Sequence, residues 1–522
     1  MGRIRKTIVE KDSYYDSVFL MLINKEVKQV PGIKDAVVSM GTEMNLTLLT
    51  ELGLNSPETA TATPNDLIIA AEGDTEAAVD SALNAAKELL NKKKSGGPQE
   101  AGAYRPVSLE TALKMKSDAN LVIVSVPGVH AAREVRKALE SGLHVMLFSD
   151  NVSLEDEISL KKLAVEKGLL MMGPDCGTAI INGKPICFAN VVRRGKIGIV
   201  AASGTGLQEV SCIIDQLGEG VSQGIGTGGR DLKNAQVGGM MMLSGIAALK
   251  QDPATRVILV VSKPPAAEAA GKVVAELRAA GKPCVVHFVG QEAAPADGNV
   301  HYANNLEEAS RLAVALLRGQ TCTPSRFTAA DEEIRALIDR EREKMGPEQK
   351  YLRGLFTGGT LADEAMIIFE REVGGIYSNN QTRPELVLKD PHTSVRHTIV
   401  DLGDDVFTVG RPHPMIDPST REERITKEME DPEMAVMLLD IVLGYGSHED
   451  PAGAILDSLE AAKKKAKARG GYLSIIASIT GTEGDFQDMD DQRRKLESIG
   501  CVVMPSNYQA SLLALEIARK GG

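Results

Sequence analysis

Four glycine-rich turns hold the residue types best suited to chemistry: ASGTG (202–206), GIGTGGRD (224–231), FTGGT (356–360) and LGYGSHED (443–450). Each lies where a short apolar run gives way to a helical pattern. In an open parallel sheet such junctions gather at the carboxyl edge, where ligands bind. Glycine lets the backbone approach an oxyanion closely, and the first-turn amides and dipole of the following helix favour negative charge. Ser203, Gly204, Thr205, Gly228, Gly229, Gly358, Gly359, Thr360, Gly444 and Gly446 are therefore the candidate phosphate or carboxylate cradle. Any strand-to-helix turn also needs glycine and a capping hydroxyl, so two turns that match weigh more than one. Gly204, Thr205 and Glu209 do recur, as Gly359, Thr360 and Glu364, each after 155 residues. No GxxxxGK[ST] string occurs, so a small anion or an acyl phosphate suits the cradle better than a nucleotide.

The loop FTVGRPHPMIDP (407–418) adds Arg411 and His413 as candidate catalytic residues, stiffened by three prolines. Arginine grips planar carboxylates with two bonds, and an ordinary histidine moves protons near neutrality. The plain alternative is a surface loop whose arginine pairs with the acids of DLGDD (401–405). Cys176 in GPDCGT (173–178) has no neighbouring cation in sequence to activate it and reads as a structural thiol. The eight histidines show no HxxxH or HExxH spacing, so no metal site is expected. AAKKKAKARGG (461–471) reads as the solvated last turns of a helix.

The elements that must carry these turns are read from apolar periodicity. Residues 1–90 form a small α+β domain in the order βαββα, an open-faced sandwich, and the charged, then Gly- and Pro-rich stretch 91–106 is a linker. Strand–helix alternation then predicts parallel sheets: a truncated Rossmann-like domain at 107–192, an α/β domain at 193–325, a charged linker helix at 326–350 and a second α/β domain at 351–522, for which the resemblance given below implies CoA-binding-type, ligase and second ligase-like domains in that order. The fold class is α/β, several parallel-sheet Rossmann- or flavodoxin-like domains plus the small amino-terminal one. The chain has 522 residues and a net charge of −12, with 3% aromatics and no Trp. That balance excludes a nucleic-acid clamp, which needs a basic face, and an aromatic stacking platform. Six scattered cysteines without a CxxC pair, a start without the apolar region and cleavage site of a secretory signal, and apolar runs about a quarter of a membrane span predict a cytoplasmic protein with reduced thiols and no membrane segment.

MMGPDCG, KIGIVAASGTGLQE, GIGTGGRD and KPCVVHFVG follow the layout of the succinyl-CoA synthetase α subunit, and RGLFTGGTLADEA through DIVLGYGSHEDPAG resembles the ligase domain of its β subunit. Over nearly its full length, through TPNDL, MLFSDNVSLEDEI, MGPDCGT, ASGTG, GGRDL, VSKPP, FTGGTLA, DLGDD and TVGRPHPMIDP, the chain resembles the FdrA family. Against the synthetase pattern, no histidine lies in a Gly-His-Ala-Gly loop, the first domain is too small for a nucleotide grasp, and no glycine-rich CoA loop falls between 91 and 107. The FdrA resemblance implies a subunit of an oxamate carbamoyltransferase in allantoin breakdown, active only with partner subunits of a hetero-oligomer. It would exchange a carbamoyl group between oxalurate and phosphate, with phosphate or carbamoyl phosphate in the cradle and Arg411 and His413 on a small anionic substrate. The alternatives are an acyl-CoA synthetase-like protein that binds CoA, and a noncatalytic scaffold that docks other subunits, a homo-oligomer included.

Overall fold

The computed structural model describes residues 4–11, 13, 15, 17–95, 106, 108–409 and 411–519. The chain forms two compact units, Met1–Met115 with Thr408–Pro412, and Lys116–Phe407 with His413–Gly522.

In the first unit the elements are β1 (Ile4–Glu10), α1 (Ser17–Lys28), β2 (Ile33–Met40), α2 (Glu43–Glu51), β3 (Leu67–Gly73), α3 (Glu76–Ser95) and α4 (Leu109–Met115). The sheet order is β1-β3-β2, antiparallel throughout. The central strand LIIAAEG is buried along its whole length. Its odd residues Leu67, Ile69 and Ala71 pack with Leu20, Ile23, Val79 and Ala82 of α1 and α3, and its even residues Ile68 and Ala70 pack with Leu49 and Leu54. The sheet is thus covered on both faces and is not an open-faced sandwich. The reason is α2, which forms in a Thr-rich stretch because Thr42 Oγ1 caps it by accepting from Asn45 N at 3.4 Å. Helix α3 runs five residues into the 91–106 stretch; residues 96–105 lie outside those described.

The second unit opens with a three-stranded parallel sheet, β4 (Leu121–Val124), β5 (His144–Leu147) and β6 (Met171–Met172), joined through α5 (Gly128–Glu140) and α6 (Leu154–Glu166). A hairpin, β7 (Thr178–Ile181) and β8 (Lys184–Cys187), then pairs antiparallel with the next sheet, although it precedes residue 193. That sheet is built from β9 (Arg194–Ala202), α7 (Gly204–Gln216), β10 (Val221–Gly226), α8 (Arg230–Lys233), α9 (Met240–Gln251), β11 (Val257–Ser262), α10 (Ala267–Arg278), β12 (Cys284–Phe288), β13 (Val300–Tyr302) and α11 (Leu306–Arg318). After α12 (Asp331–Arg342) the last sheet follows: β14 (Tyr351–Phe356), α13 (Gly359–Val373), β15 (Thr398–Asp401), α14 (Asp405–Thr408), α15 (Ser419–Glu428), β16 (Met434–Val442), α16 (Pro451–Ala468), β17 (Ser474–Thr480), α17 (Met489–Ser498), β18 (Val502–Met504) and α18 (Asn507–Ala518).

The parallel strands run β10-β9-β11-β12-β13 in one sheet and β15-β14-β16-β17-β18 in the other. Both are the 2-1-3-4-5 order of a doubly wound fold. Strands β11 and β16 are buried at every residue, as apolar runs sandwiched between helices must be. Each fully buried Val or Leu adds about 1.5–3 kcal/mol of burial free energy before ordering costs. One apolar cluster joins the two sheets, with Leu207 and Val210 of α7, Leu361 and Phe369 of α13, Leu306 and Ala309 of α11, and Leu513 and Leu515 of α18. Helices α7 and α13 therefore lie against each other in the shared core.

Candidate functional site

The equal spacing of the ASGTG and FTGGT turns becomes spatial proximity. Ser203 caps α7 by accepting from Gly206 N at 2.9 Å, a bond worth about 1 kcal/mol to such a helix. The same Ser203 Oγ lies 2.6 Å from Thr360 Oγ1 at the start of α13. Thr360 N donates to Thr205 Oγ1 at 3.3 Å. A side chain at Gly358 would meet Thr205 Cγ2 at 3.0 Å, so glycine is required for the two turns to close on each other. Two helices thus present their positive ends to one spot. Ser203 and Thr360 are buried there, while Gly204 is exposed and Thr205 and Gly359 are half-buried. None of the bonds above uses the amides of Gly204, Thr205 and Gly359.

Charged side chains complete the site, and motif reasoning missed them. Asp440 of β16 is fully buried and accepts from Thr357 N at 2.8 Å, Gly358 N at 2.7 Å and Thr357 Oγ1 at 3.1 Å. Arg421 of α15 pairs with its other side. The amides of Thr357 and Gly358 are thereby already satisfied by a carboxylate of the protein. Lys263, just past β11, pairs with Asp363 of α13 at 2.9 Å. Asn380 Nδ2 donates to Asp363 Oδ1 at 3.2 Å and to Asp401 Oδ2 at 3.1 Å, and Gly403 N donates to Asp401 Oδ1 at 2.9 Å. Burial raises the Asp401 carboxyl to about 6 although Lys263 opposes it. Burial and Asp150 raise Asp175 to about 6 as well. Burial works to lower the Lys263 ammonium, but Asp363 and Asp401 hold it above the ordinary lysine range.

The other candidate residues divide. Gly228 has φ +84° and a Cβ there would strike the carbonyl of Pro174, and the turn is anchored by the fully buried Lys161, which donates to Thr227 O at 3.1 Å, Asp231 at 2.8 Å and Glu157 at 2.9 Å. Gly228 therefore lets this turn close on the GPDCGT segment. Gly444 and Gly446 serve packing too: Gly444 N donates to Gln487 Oε1 at 3.0 Å, Tyr445 N donates to Ala189 O at 2.9 Å, and a Cβ at Gly446 would strike the Phe188 ring. His413 packs its ring on Phe188 at 5.7 Å and accepts from Met415 N through Nδ1 at 3.2 Å. Burial, with Arg421 nearby, pushes it down to about 4. It is thus a neutral ring at pH 7, not the neutral-pH proton shuttle expected of an ordinary histidine. Arg411 belongs to the short stretch Thr408–Pro412 that groups with the first unit, where its amide donates to Thr408 O at 3.1 Å. The Cys176 thiol is buried and pushed up to about 12 by that burial, which makes it a poor nucleophile.

The second of the two doubly wound sheets is of the CoA-ligase class by its family match. Residues 355–517 match the family model described as CoA-ligase, and residues 3–106 match the one described as AllF, heavy metal-associated domain. The chain is 46% identical over 517 residues to YahF of Escherichia coli (strain K12), covering 99% of each chain. It belongs to the FdrA family, the succinyl-CoA synthetase-like family that YahF represents. It is also 30% identical over 187 residues to a mitochondrial succinate–CoA ligase alpha-2 subunit of Trichomonas vaginalis (34% of this chain, 59% of the relative). With succinate–CoA ligase alpha 2 of Archaeoglobus fulgidus it shares 25% identity over 251 residues (47% and 84%). These matches correct the reading as a transferase of carbamoyl groups: they lie with CoA ligases.

The first family model carries a heavy metal in its description, and the donor set does not fit one. Residues 3–106 contain neither Cys nor His, and Met40 is packed in the core. Soft ions need thiolate, thioether or imidazole donors. No helix among the described residues is long and apolar enough to cross a membrane.

Proposed function

We propose that the chain is a succinyl-CoA synthetase-like CoA-ligase component that holds a phosphoryl group, as inorganic phosphate or an acyl phosphate, between the starts of α7 and α13. The observation that carries this reading is the meeting of Ser203 Oγ and Thr360 Oγ1 at 2.6 Å, where two helices converge with their amide ends. Like poles repel, and an anion placed between them is stabilised by both dipoles, each by about 0.3–1 kcal/mol at exposed sites and more when partly buried. Ser203, Thr205 and Thr360 supply hydroxyls, and Gly204, Thr205 and Gly359 supply amides. Donors fixed around the phosphoryl oxygens stabilise the charge that builds on phosphate as it leaves an acyl phosphate whose acyl carbon is attacked by a thiol.

In this reading 193–325 and 351–522 are the two ligase halves, and 107–192 is the CoA-binding-type domain, with CoA as the acyl acceptor. No histidine lies in a Gly-His-Ala-Gly loop, so a partner subunit supplies the phosphoryl relay and the nucleotide. Calorimetry of the whole chain with inorganic phosphate and with acetyl phosphate at pH 7 tests the reading. Saturable, salt-sensitive binding is expected. A hydrogen bond to a charged group contributes about 1.5–3 kcal/mol, so the double variant Ser203→Ala/Thr360→Val should bind at least about tenfold more weakly. Unchanged affinity in that variant removes the phosphoryl group from these turns.

A further inference from the structure

Strand β1 pairs with β3 along one side in an unbroken register, and among the described residues no strand lies along its other side. An open edge is a template for another chain, and proteins blunt it by keeping edge strands short, bulged or broken by proline. The other edge strands are blunted in this way. β4, β6, β8, β13, β15 and β18 have two to four residues, and β2 shifts its register between Ile33 and Asp35. β1 has seven residues, IRKTIVE, with neither proline nor glycine. Ile4, Thr7, Ile8 and Val9 are β-branched, the type that suits a pleated surface. A groove along the open edge is lined by Arg5, Lys6, Thr7 and Ile8, with Leu54 on the α2 face of the sheet and Leu83 of α3 on the other.

The charges of this strand are left partly unsatisfied. Lys6 Nζ meets Asp80 at 2.6 Å and Glu76 at 2.9 Å, which leaves one of its three N–H groups. The Glu10 carboxylate is half-buried and makes no ion pair or hydrogen bond among the described residues. A two-fold axis normal to the sheet keeps like faces together, so odd residues oppose odd and even oppose even. Centred on Ile8, it places Lys6 opposite Glu10 of the second copy, Thr7 opposite Val9 and Ile8 opposite Ile8. Centred on Lys6, Thr7 or Val9, it brings no opposite charges together within β1. The register on Ile8 also sets Arg5 opposite Lys11, but Arg5 is already held by Glu72 at 2.5 Å and Lys11 by Asp66 at 2.9 Å.

We propose that the open edge of β1 is an interface with a second copy of this chain, joined as antiparallel strands about Ile8 with Lys6 and Glu10 paired across it. The two small sheets then run on as one. Opposite charges directly across an antiparallel pair favour the register, and like charges there oppose it.

Analytical ultracentrifugation of the whole chain tests this through two charge reversals. The wild type should dimerise reversibly. Lys6→Glu sets acids face to face at both pairs, and Glu10→Lys sets lysines face to face. Each alone should raise the dimer dissociation constant at least about tenfold. Mixed in equal amounts, the two variants oppose acid to lysine again at both pairs, so a heterodimer should form within about threefold of the wild-type affinity. A variant that failed to fold could not be recovered by mixing, and Glu10→Lys breaks no ion pair among the described residues. Hydrogen exchange locates the contact: in either variant alone every second amide of β1 should lose protection, while those bonded to β3 keep it. A monomeric wild type overturns the proposal and leaves the edge to a strand of some other protein. A dimer that both variants retain, or a mixture that stays monomeric, overturns it too.

Discussion

Asp440 accepts three hydrogen bonds from Thr357 and Gly358 and balances the guanidinium of Arg421, all without solvent. Asp440→Asn therefore leaves a buried cation without its counter-charge and replaces one acceptor oxygen by an amide donor. Breaking one side of a buried pair costs about 3–5 kcal/mol, and urea unfolding of the variant should show a loss of that size. Adding Arg421→Met should recover part of it; a loss under about 1 kcal/mol would mean that the pair is not held as described. Gly204 and Thr205 stood out in the sequence because they recur as Gly359 and Thr360 after 155 residues, and Ser203 because its short turn also reads as a helix start. Asp440, Lys263, Asp363 and Asp401 did not. Each is a single charged residue in an apolar strand end or a helix, and only the strand order brings them to one helix start. His413 shows the converse. Its residue type promised proton transfer near neutrality, but that depends on solvation, which a sequence does not display.

Helices α7 and α13 carry the third member of the repeated set, Glu209 and Glu364. Glu209 accepts from Asn507 N, the first residue of α18, at 3.0 Å, and bonds Thr480. Glu364 accepts from Leu306 N, the first residue of α11, at 2.9 Å and from Asn507 Nδ2 at 2.8 Å. The two sheets thus use the same device, a buried carboxyl on the opening helix that caps a closing helix. For both glutamates that closing helix belongs to the other sheet. Burial raises both carboxyls to about 7, against the hydrogen bonds that favour ionisation. A folded value above the unfolded one means that the native state binds more protons between about 4.5 and 7, so these groups weaken stability as pH rises through that window. Glu364→Gln keeps an acceptor for Leu306 N and cannot ionise. Its melting temperature relative to wild type should climb as pH goes from 5 to 8, measured by calorimetry in matched buffers; a constant difference would show that Glu364 does not titrate there. At this scale the sequence was informative where periodicity is strong, in the apolar runs of β11, β16 and β17. It failed for α2, where a capping threonine outweighs a Thr-rich composition, and for the hairpin β7–β8, whose sheet is decided by pairing with β10.

Across the whole molecule the distribution of soft donors is lopsided. The first histidine is His130 and the first cysteine Cys176, so the segment that matches a heavy metal-associated domain offers oxygen and backbone donors and few thioethers. Its sheet is held by Leu67, Ile69 and Ala71 on one face and Ile68 and Ala70 on the other, with no ligand needed to complete a core. The segment matches that family model without the cysteine or histidine donors that its description calls to mind. Titration of the whole chain with Cu(I) against a chromogenic chelator should therefore find no ion retained by the first unit. Any uptake should come from the thiols at Cys176 and beyond, and should vanish when those are alkylated in denaturant and the chain is refolded. The hardest outcome for this account is one equivalent of Cu(I) that survives alkylation and shifts the amide resonances of β1 and α1, because oxygen donors alone bind a soft monovalent ion too weakly to compete with the chelator.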